Sequence, residues 1–554
     1  MGATIIPLLT ALALMYLGWW IASISGWYEA GMVVMLIAFI VLIKRLFDAL
    51  LHFLRQADQI DLLHESRTPS NTYGEARLAN SQDKFVKHMA KCRSGFYIGT
   101  LGKLPLFYDP FIRGNGHMLT RAPSRTGKST SVIIPALLHW FYGSVVVIDV
   151  KGELAKITSK FRRAMGQKVI IFDPFGVVGE EGHKFNPLRI LVEDVMHNIG
   201  QNLHDYARSI AMQLIPEKPN SVSDGEFFRN GGRRLITALL LYLAVFDPNN
   251  CNLPALRKLV WSDSATKESV AAKLKSHDWF AGLLQDYGNA LAEMLLPEYI
   301  KTYGAFRDNA MNALEIFDAH SPLGKALLEC DFYLSDLLEG NVTLYLILPE
   351  AKLETHGKVL GLIITLLLEV IAGSNNQQRI MMILDEMGNI GRLPNLSKAL
   401  SLLPGKYLRL WMVLQSMRQA IEIYGPQMAG LIEEQSSMVQ EWSIRSNEDC
   451  KKWSERIGRE TRKTRSVTHE QHNHDMPWRL SINERAHPVM SADEVRCMGS
   501  NEQLVAISGQ KVIRAERLAY FQIEPWRSIA EKYSDQSEII PKNSPVRHRL
   551  GKVT

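Results

Sequence analysis

At 554 residues the chain is long enough for two or three domains, each with its own core, and its 46% hydrophobic content is ordinary for a globular protein. The net charge of +6 is mild for this length, so it permits a nucleic-acid partner without demanding one. The cysteines are odd in number, far apart and without a C-x-x-C pair, which favours reduced thiols over a disulfide framework or a zinc site. They are Cys92, Cys251, Cys330, Cys450 and Cys497.

Two apolar runs near the N-terminus predict membrane spans. Ala3 to Ala22 would form about 30 Å of helix, which is enough to cross a bilayer. A second run, Ala30 to Ile43, follows after a short loop. Lys44 and Arg45 come directly after it, so the positive-inside rule places the N-terminus and the main body in the cytoplasm. A cleaved signal peptide is the alternative, and it is disfavoured because no basic residue precedes the first run.

A phosphate-binding loop, or P-loop, is predicted at Ala122 to Ser129, which reads Ala-Pro-Ser-Arg-Thr-Gly-Lys-Ser. It follows an apolar run through Met118 and Leu119 and precedes the helical pattern Val132 to Leu138. This is the strand, loop and helix order that a P-loop requires. Ala122 stands where the G-x-x-x-x-G-K-[ST] pattern has its first glycine, so the match has one departure. A chance Gly-Lys-Ser in a turn is the alternative.

Each residue of such a loop has an expected role. The backbone N–H groups of Arg125, Thr126 and Gly127 would point at the β-phosphate, where the helix N-terminus adds its positive dipole. Lys128 would reach the β- and γ-phosphates, and the Ser129 hydroxyl would bind Mg²⁺. The residues predicted to bind the nucleotide are Ala122, Arg125, Thr126, Gly127, Lys128, Ser129 and Thr130.

Strand and helix patterns divide the rest of the chain. Short apolar runs such as Val145 to Asp149 alternate with helical stretches, which predicts parallel strands covered on both faces. From about Leu191 to Asp331 strand patterns are absent and amphipathic helices are predicted. The strand pattern returns at Val342 to Leu348. The apolar run Val359 to Ala372 is interrupted by Glu369, so a helix buried against the sheet is favoured over a third membrane span.

Two strand ends compete to supply the acidic partner of the P-loop. One is Val145 to Asp149, directly after the P-loop helix, and the other is Met381 to Glu386, which ends in two acids. Hydrolysis needs a group that activates water as well as a metal ligand, so we assign Asp385 to Mg²⁺ and Glu386 to the attacking water. Gln415, at the end of the next predicted strand, would contact the γ-phosphate and this water. A purely structural role is the alternative for these residues.

Further short motifs accompany the P-loop, in one order, from about residue 70 to 525. They are Tyr73 to Ala79, Ala122 to Ser129, Val147 to Glu153, Phe185 to Leu188, Leu384 to Pro394, Leu414 to Ser416, Gln419, Tyr424-Gly425 and Trp453 to Gly458. With this ordered set the chain resembles the VirD4/TraG-type coupling proteins of type IV secretion and conjugation systems, within the RecA-like, FtsK-related ring ATPases. An alanine at the first P-loop position is usual in that family.

The resemblance implies an α/β RecA-like P-loop nucleotide-binding domain with an all-α inserted domain, preceded by two transmembrane helices. It also implies a membrane-anchored homo-hexamer that binds ATP and Mg²⁺ at its subunit interfaces, each completed by a basic finger from the neighbour. Some relatives carry an arginine about 19 residues after the metal-binding Asp, but this chain has Pro404 there. Lys406, Arg409 and Arg418 are the alternatives for the finger.

The patterns and the resemblance together predict five segments. They are a two-helix transmembrane anchor (1–47), a first part of the nucleotide-binding domain (48–190), an all-α inserted domain (191–331), a second part of the nucleotide-binding domain (332–526) and a flexible basic tail (527–554).

The predicted function is that of a two-pass protein of the bacterial inner membrane with a cytoplasmic body. It would be an ATPase that recruits relaxase-bound single-stranded DNA, or a protein substrate, to the proteins of a type IV secretion channel. A double-stranded DNA translocase of the FtsK type is one alternative, disfavoured by two spans and no long linker before the motor. A receptor that binds nucleotide with little turnover is another, disfavoured by the acid pair Asp385-Glu386.

Two charged clusters have open interpretations. Seven Lys or Arg residues lie between Lys451 and Arg465, and they could follow a phosphate backbone or form a solvated helix face. His469, His472 and His474 are spaced like metal ligands. No second group of ligands is close in sequence, so a polar surface loop is favoured.

Overall fold

The structure, a computed structural model, describes residues 2–24, 26–65, 72–112, 114–217, 223–393, 395–469, 478–534 and 545–550. The chain forms two compact units. Unit 1 combines Met1–Arg77 with Gly458–Val489, and unit 2 combines Leu78–Ile457 with Met490–Thr554.

Strands occur in both units. In chain order they are β1 (Phe96–Leu101), β2 (Leu104–Tyr108), β3 (His117–Arg121), β4 (Ser144–Asp149), β5 (Lys168–Phe172), β6 (Val342–Ile347), β7 (Ile380–Leu384), β8 (Leu408–Leu414), β9 (Ser436–Glu441), β10 (Arg459–His469), β11 (Trp478–Pro488), β12 (Glu502–Ile507), β13 (Ile513–Glu516), β14 (Ile523–Glu524) and β15 (His548–Arg549).

Helices precede, connect and cover the strands. They are α1 (Gly2–Ala22), α2 (Tyr28–Glu65), α3 (Lys84–Lys91), α4 (Ile134–Leu137), α5 (Glu153–Ala164), α6 (Arg189–His197), α7 (Leu203–Leu214), α8 (Ser223–Phe246), α9 (Leu253–Trp261), α10 (Ser264–Lys275), α11 (Leu283–Met294), α12 (Ile300–Leu314), α13 (Pro322–Ala326), α14 (Glu350–Gly373), α15 (Leu396–Ser401), α16 (Met417–Tyr424), α17 (Pro426–Glu434), α18 (Asn447–Ile457), α19 (Ala492–Arg496) and α20 (Trp526–Tyr533).

An eleven-stranded sheet forms the centre of unit 2, in the order β2-β1-β13-β12-β9-β3-β8-β7-β4-β6-β5. The strands from β9 to β5 pair in parallel. Antiparallel pairing adds β12, β13, β1 and β2 beside β9. Every residue of β4 and β7 is buried, as expected for parallel strands that are covered on both faces. The predicted α/β fold with a parallel sheet is confirmed.

The segment between β5 and β6 is helical in the residues that the structure describes. It contains α6 to α13 and short 3₁₀ turns. Several of these helices begin at a residue whose side chain accepts an N–H of the first turn, as Asn252 does for α9, Asp263 for α10 and Ser321 for α13. In α8, Leu235, Leu239 and other aliphatic side chains are buried. The predicted all-helical insertion is therefore confirmed, while its proposed boundaries stay a prediction.

Two apolar helices begin the chain in unit 1. Within α2, Tyr28–Leu51 is long and apolar enough to cross a membrane, and it contains the predicted second span. α1 packs along α2, and the close approach requires glycine, since a Cβ on Gly31 would lie 2.3 Å from the Ala22 nitrogen. In unit 2, α14 is also long and apolar enough to cross a membrane, but 67% of it is buried. It is therefore the core helix that the sequence predicts.

The basic stretch does not form one element. Lys451 and Lys452 lie on α18 of unit 2, whereas Arg459, Arg462 and Lys463 lie on β10 of unit 1. β10 pairs with β11 in an antiparallel ribbon, whose base also pairs with the segment after α2 through a bridge between residues 75 and 460. A single basic helix face is therefore wrong.

Four of the residues singled out in the sequence lie at or beyond the limits of the described residues. His469 is the last residue of β10, and His472 and His474 lie outside the described residues, as does Pro394 of the Leu384 to Pro394 motif. Within the described residues, no group of three or more His, Cys, Asp or Glu side chains is placed to hold a metal ion.

Parts of the predicted flexible basic tail form a helix and a short strand. Trp526 begins α20, is fully buried, and its ring centroid lies 4.7 Å from that of Tyr97. Farther on, β15 pairs in parallel with β14. Trp526 precedes the predicted tail (527–554), and within the tail Ala530 and Leu550 are also buried.

Candidate functional site

Three neighbouring strand ends bring the predicted site residues together. β8 lies between β3 and β7 in the parallel part of the sheet. The P-loop follows β3, Gln415 follows β8, and Asp385 with Glu386 follows β7. The N–H of Ala122 donates to the carbonyl oxygen of Leu414 at 3.0 Å, so the pairing of β3 with β8 continues to the start of the loop. All of these residues belong to unit 2.

The P-loop has the strained backbone that a phosphate cradle needs. Arg125 and Gly127 have φ angles of 61° and 86°, in the left-handed region. Such backbone lets successive N–H groups point to one side. Ala122 extends β3 and needs no left-handed backbone, which explains why alanine serves at the first position. After the loop, a π-helical turn from Ser129 to Ile133 leads into α4, so a helix N-terminus faces the loop.

Lys128, Glu386 and Gln415 are in direct contact. Lys128 is buried; its Nζ donates to the carbonyl oxygen of Ala122 at 3.1 Å and lies 3.3 Å from Glu386 Oε1. Gln415 Nε2 donates to Glu386 Oε2 at 3.1 Å. Asn389 Nδ2 donates to the same oxygen at 3.5 Å. The carboxylate of Glu386 is thus held between a cation and two amides.

Asp385 is buried beside this contact. Its Oδ1 accepts the N–H of Glu386 at 3.1 Å. Burial, and then the charge of Glu386, raises the pKa of Asp385 to about 6, while Lys128 opposes the shift. A bound cation would stabilise the charged form of this buried carboxylate, so the position of Asp385 suits the predicted metal-binding role.

A second buried carboxylate, Asp149, lies at the strand end that the sequence analysis did not assign to Mg²⁺. Asp149 ends β4, which pairs with β7, so the two strand ends that seemed to compete are neighbours. Asp149 Oδ2 accepts the N–H of Ala155 at 2.8 Å. Burial raises the pKa of Asp149 to about 7, and the charge of Asp385 adds to the shift. The Val147 to Glu153 motif was the sequence signal that pointed to this strand end.

These groups line a cavity of about 290 Å³. Of the residues predicted to bind nucleotide, five line it: Arg125, Gly127, Lys128, Ser129 and Thr130. Ala122 and Thr126 do not line it. Asp385, Glu386 and Gln415 line it as well. Sequence reasoning missed three charged residues that also line the cavity, the acids Glu153 and Glu350 and the cation Lys151.

The donor set suits a nucleotide phosphate with Mg²⁺. Left-handed backbone, a helix N-terminus and the ammonium of Lys128 are groups that bind phosphate. The hydroxyl of Ser129 and the carboxylate of Asp385 are oxygen donors of the kind that Mg²⁺ prefers. Ser129 and Asp385 line the same cavity.

The three alternatives for the basic finger differ in their surroundings. Lys406 Nζ contacts the carbonyl oxygen of Ser374. Arg409 donates to the carbonyl oxygens of Pro110 at 2.7 Å and Pro404 at 2.9 Å. Both side chains are therefore bound to carbonyl oxygens of their own chain, whereas Arg418 on α16 is exposed.

The comparisons with known proteins agree on one family. The family model described as "Type IV secretory system Conjugative DNA transfer" matches residues 71–543. Protein VirD4 of Agrobacterium fabrum is 26% identical over 438 residues, which cover 75% of this chain and 60% of that protein. Conjugal transfer protein TraG of the same organism is 27% identical over 435 residues, with 76% and 63% covered. The chain thus spans less than two thirds of the length of these relatives.

Solved structures share the fold. The plasmid coupling protein TrwB in complex with a non-hydrolysable ATP analogue superposes with a TM-score of 0.59 at 14% identity, covering 82% of this chain and 95% of that one. TrwB in complex with ADP and Mg²⁺ gives a TM-score of 0.57 at 15% identity, covering 81% and 94%. At these identities the likeness concerns the fold alone, and it agrees with the predicted α/β fold.

Proposed function

The chain belongs to the family of type IV secretory system proteins for conjugative DNA transfer, and on that premise we propose that it is the coupling ATPase of such a system. The observation that carries the proposal is the contact of Lys128 and Gln415 with Glu386 at three adjacent strand ends, beside Asp385 and the P-loop. Binding of nucleotide to the TrwB structures, which share the fold, supports the same function.

The roles of the residues follow from their positions. The N–H groups of Arg125 and Gly127 and the ammonium of Lys128 bind the phosphates. Ser129 and Asp385 would hold Mg²⁺, which when bound would neutralise charge on the phosphates. The remaining predicted ligands, Ala122, Thr126 and Thr130, shape the loop, Ala122 through the bond that its carbonyl oxygen accepts from Lys128 Nζ.

Glu386 is the residue that activates water. Its carboxylate is held by Lys128 Nζ at 3.3 Å. The ammonium of Lys128 must therefore leave Glu386 and pair with the phosphates before Glu386 can accept a proton. Gln415 keeps its amide on the second oxygen of Glu386 and orients the carboxylate. In this way the same lysine that binds the phosphates controls when the base becomes free.

The proposal extends to place and partners. The helices α1 and α2 anchor the protein in the bacterial inner membrane, with the N-terminus and the body in the cytoplasm. Six copies form a ring with ATP at each interface, and an exposed arginine such as Arg418 completes the neighbouring site. The cargo is relaxase-bound single-stranded DNA, delivered to the proteins of a secretion channel.

The test is ATP hydrolysis by the purified full-length protein in lipid, with and without single-stranded DNA. We expect turnover that DNA increases, and loss of turnover in Lys128→Ala. The control is Lys103→Ala, because Lys103 is exposed in the turn between β1 and β2. Binding of nucleotide with no turnover under either condition would favour the nucleotide-binding receptor instead.

A further inference from the structure

Arg517, at the end of β13, contacts the P-loop although 391 residues separate it from Thr126. Its Nη1 donates to the carbonyl oxygen of Thr126 at 3.0 Å and to Ser131 Oγ at 3.0 Å. Its Nη2 donates to the carbonyl oxygen of Ser500 at 2.7 Å. The side chain is only 7% exposed and does not line the cavity, so it holds the loop from behind.

Trp442 contacts the same residue of the loop. Its Nε1 donates to Thr126 Oγ1 at 3.0 Å, and Thr126 Oγ1 donates in turn to the carbonyl oxygen of Pro123 at 2.7 Å. The guanidinium of Arg517 lies 4.2 Å above the Trp442 ring, within the range of a cation–π contact. Trp442 is fully buried and follows β9, the neighbour of β3. Thr126 is thus held by both its side chain and its carbonyl group.

The direction of the Thr126 carbonyl group matters for phosphate binding. In a trans peptide the C=O and the following N–H point in opposite directions. Since Arg517 does not line the cavity, its bond to the carbonyl oxygen of Thr126 draws that oxygen away from the cavity, which turns the N–H of Gly127 toward it. The left-handed φ angles of Arg125 and Gly127 on either side are costly and persist only when their surroundings determine them.

Arg517 also places a buried positive charge behind the loop. Among the described residues it forms no ion pair, and its Nε has no hydrogen-bond partner. Burial lowers the pKa of Arg517 to about 10, which leaves the guanidinium charged at neutral pH. A cation without a counter-charge is costly to bury, and its field strengthens the attraction of the loop for phosphate.

We propose that Arg517 and Trp442 are positioning residues for nucleotide phosphate, which orient the peptide between Thr126 and Gly127 and add positive potential behind the P-loop. The inference rests on the proposed function and deepens it. Neither residue stands near a recognisable motif, and each reaches Thr126 only through the order of strands in the sheet.

The test uses the full-length protein in lipid and compares Arg517→Gln, Arg517→Lys and Trp442→Phe with Arg514→Gln. Arg514 is a matched control, because it lies on β13, three residues before Arg517, and pairs on the surface with Glu502 at 2.8 Å. The measurements are the Kd for ADP with Mg²⁺, KM and kcat for ATP, and the thermal unfolding midpoint.

We expect Arg517→Gln to raise the Kd and the KM about tenfold or more, because a hydrogen bond from a charged group is lost, with a smaller effect on kcat. Arg517→Lys should restore part of the affinity, Trp442→Phe should weaken binding less, and Arg514→Gln should behave as wild type. A purely structural role would lower the unfolding midpoint of the variants but leave Kd and KM at their wild-type values when measured at temperatures below that midpoint. This result would overturn the inference.

Two further outcomes separate the inference from the proposed function. If Arg517→Gln does not fold, Trp442→Phe and Arg517→Lys decide, and wild-type Kd and KM in both would overturn the inference. If the wild type itself neither binds nor hydrolyses nucleotide, the proposed function fails, and the inference fails with it.

Discussion

Glu386 shows at the residue scale why the site is arranged as it is. Its φ and ψ of 52° and 40° place a non-glycine residue in the left-handed region, which costs about 1–3 kcal/mol. The contacts of its carboxylate with Lys128 and Gln415 stabilise this backbone. In this conformation Glu386 lines the cavity.

Replacing this carboxylate by an amide is the sharpest residue-level prediction. Glu386→Gln should keep the Kd for ADP within about threefold and lower kcat at least about 100-fold, because the shape stays while the proton acceptor is lost. The measurement is single-turnover hydrolysis alongside nucleotide binding. The control is Glu422→Gln, since Glu422 is exposed on α16. Wild-type kcat in Glu386→Gln would assign water activation to another residue, with Asp149 the next candidate.

Some site residues can be predicted from the sequence and others cannot. Lys128, Asp385 and Glu386 stand in local patterns, a P-loop and an apolar strand that ends in two acids. Trp442 and Arg517 are isolated in the sequence and reach the loop only through strand order. The same limit explains why Asp149 seemed to compete with Asp385, although β4 and β7 are neighbours.

At the scale of elements, His117 joins the P-loop strand to its surroundings. It begins β3, its Nδ1 accepts the N–H of Leu410 in β8 at 2.9 Å, and its Nε2 donates to the carbonyl oxygen of Leu400 at 3.0 Å. The bond that Nδ1 accepts requires the neutral ring, because a protonated imidazole has no acceptor nitrogen. Burial lowers the pKa of His117 to about 4, and the charge of Arg409 adds to the shift. Burial also lowers the pKa of His139 to about 4.

This environment predicts a loss of stability in acid. The pKa in the folded state lies below the unfolded value of about 6.5, so the unfolded state binds more protons between these values. The stabilisation is complete above pH about 6.5 and is lost as the pH falls toward about 4, by about 3 kcal/mol for His117. His117→Gln should be less stable at pH 7 but show a shallower fall.

The measurement is the thermal unfolding midpoint from pH 7.5 to 4.5. His88→Gln is the control, because His88 is exposed on α3. An equally steep fall in His117→Gln and in the wild type would show that the acid sensitivity comes from other groups.

Elements with continuous or periodic patterns could be predicted, and elements set by distant pairing could not. The parallel strands and the helical insertion follow from local patterns. The antiparallel half of the sheet brings β1, with β2 on its outer side, beside β13. β13 lies more than 400 residues later in the chain, as in the pairing of Thr100 with Glu516. The basic stretch is divided between α18 and β10 at Gly458, whose φ of 97° lies in the left-handed region.

At the scale of the whole molecule, the two apolar N-terminal helices and the site belong to different units. Deleting residues 1–46 should leave a body that binds nucleotide, since every site residue lies in unit 2. Spans that confine subunits to a membrane raise their effective concentration, and the truncated protein lacks this effect. It should be mainly monomeric at micromolar concentration, with low ATPase activity that rises with protein concentration or with single-stranded DNA.

The measurement is the ATPase rate per subunit against protein concentration, with sedimentation of the same samples. Arg418→Ala in the truncated protein should remove the rise with concentration while leaving the Kd for ADP unchanged. A truncated monomer with high turnover at every concentration would show that the site is complete within one chain, and the proposed finger would be wrong.

DNA transfer between cells is the most direct test of whether turnover at this site drives conjugation. The measurement is the transfer frequency from donors that carry Lys128→Ala in place of the wild-type protein, compared with Lys103→Ala and with the amount of each protein in the membrane. We predict that Lys128→Ala reaches the membrane at the wild-type level and lowers transfer by at least about 1,000-fold, since phosphate binding is lost. Transfer at the wild-type frequency would contradict the proposed function.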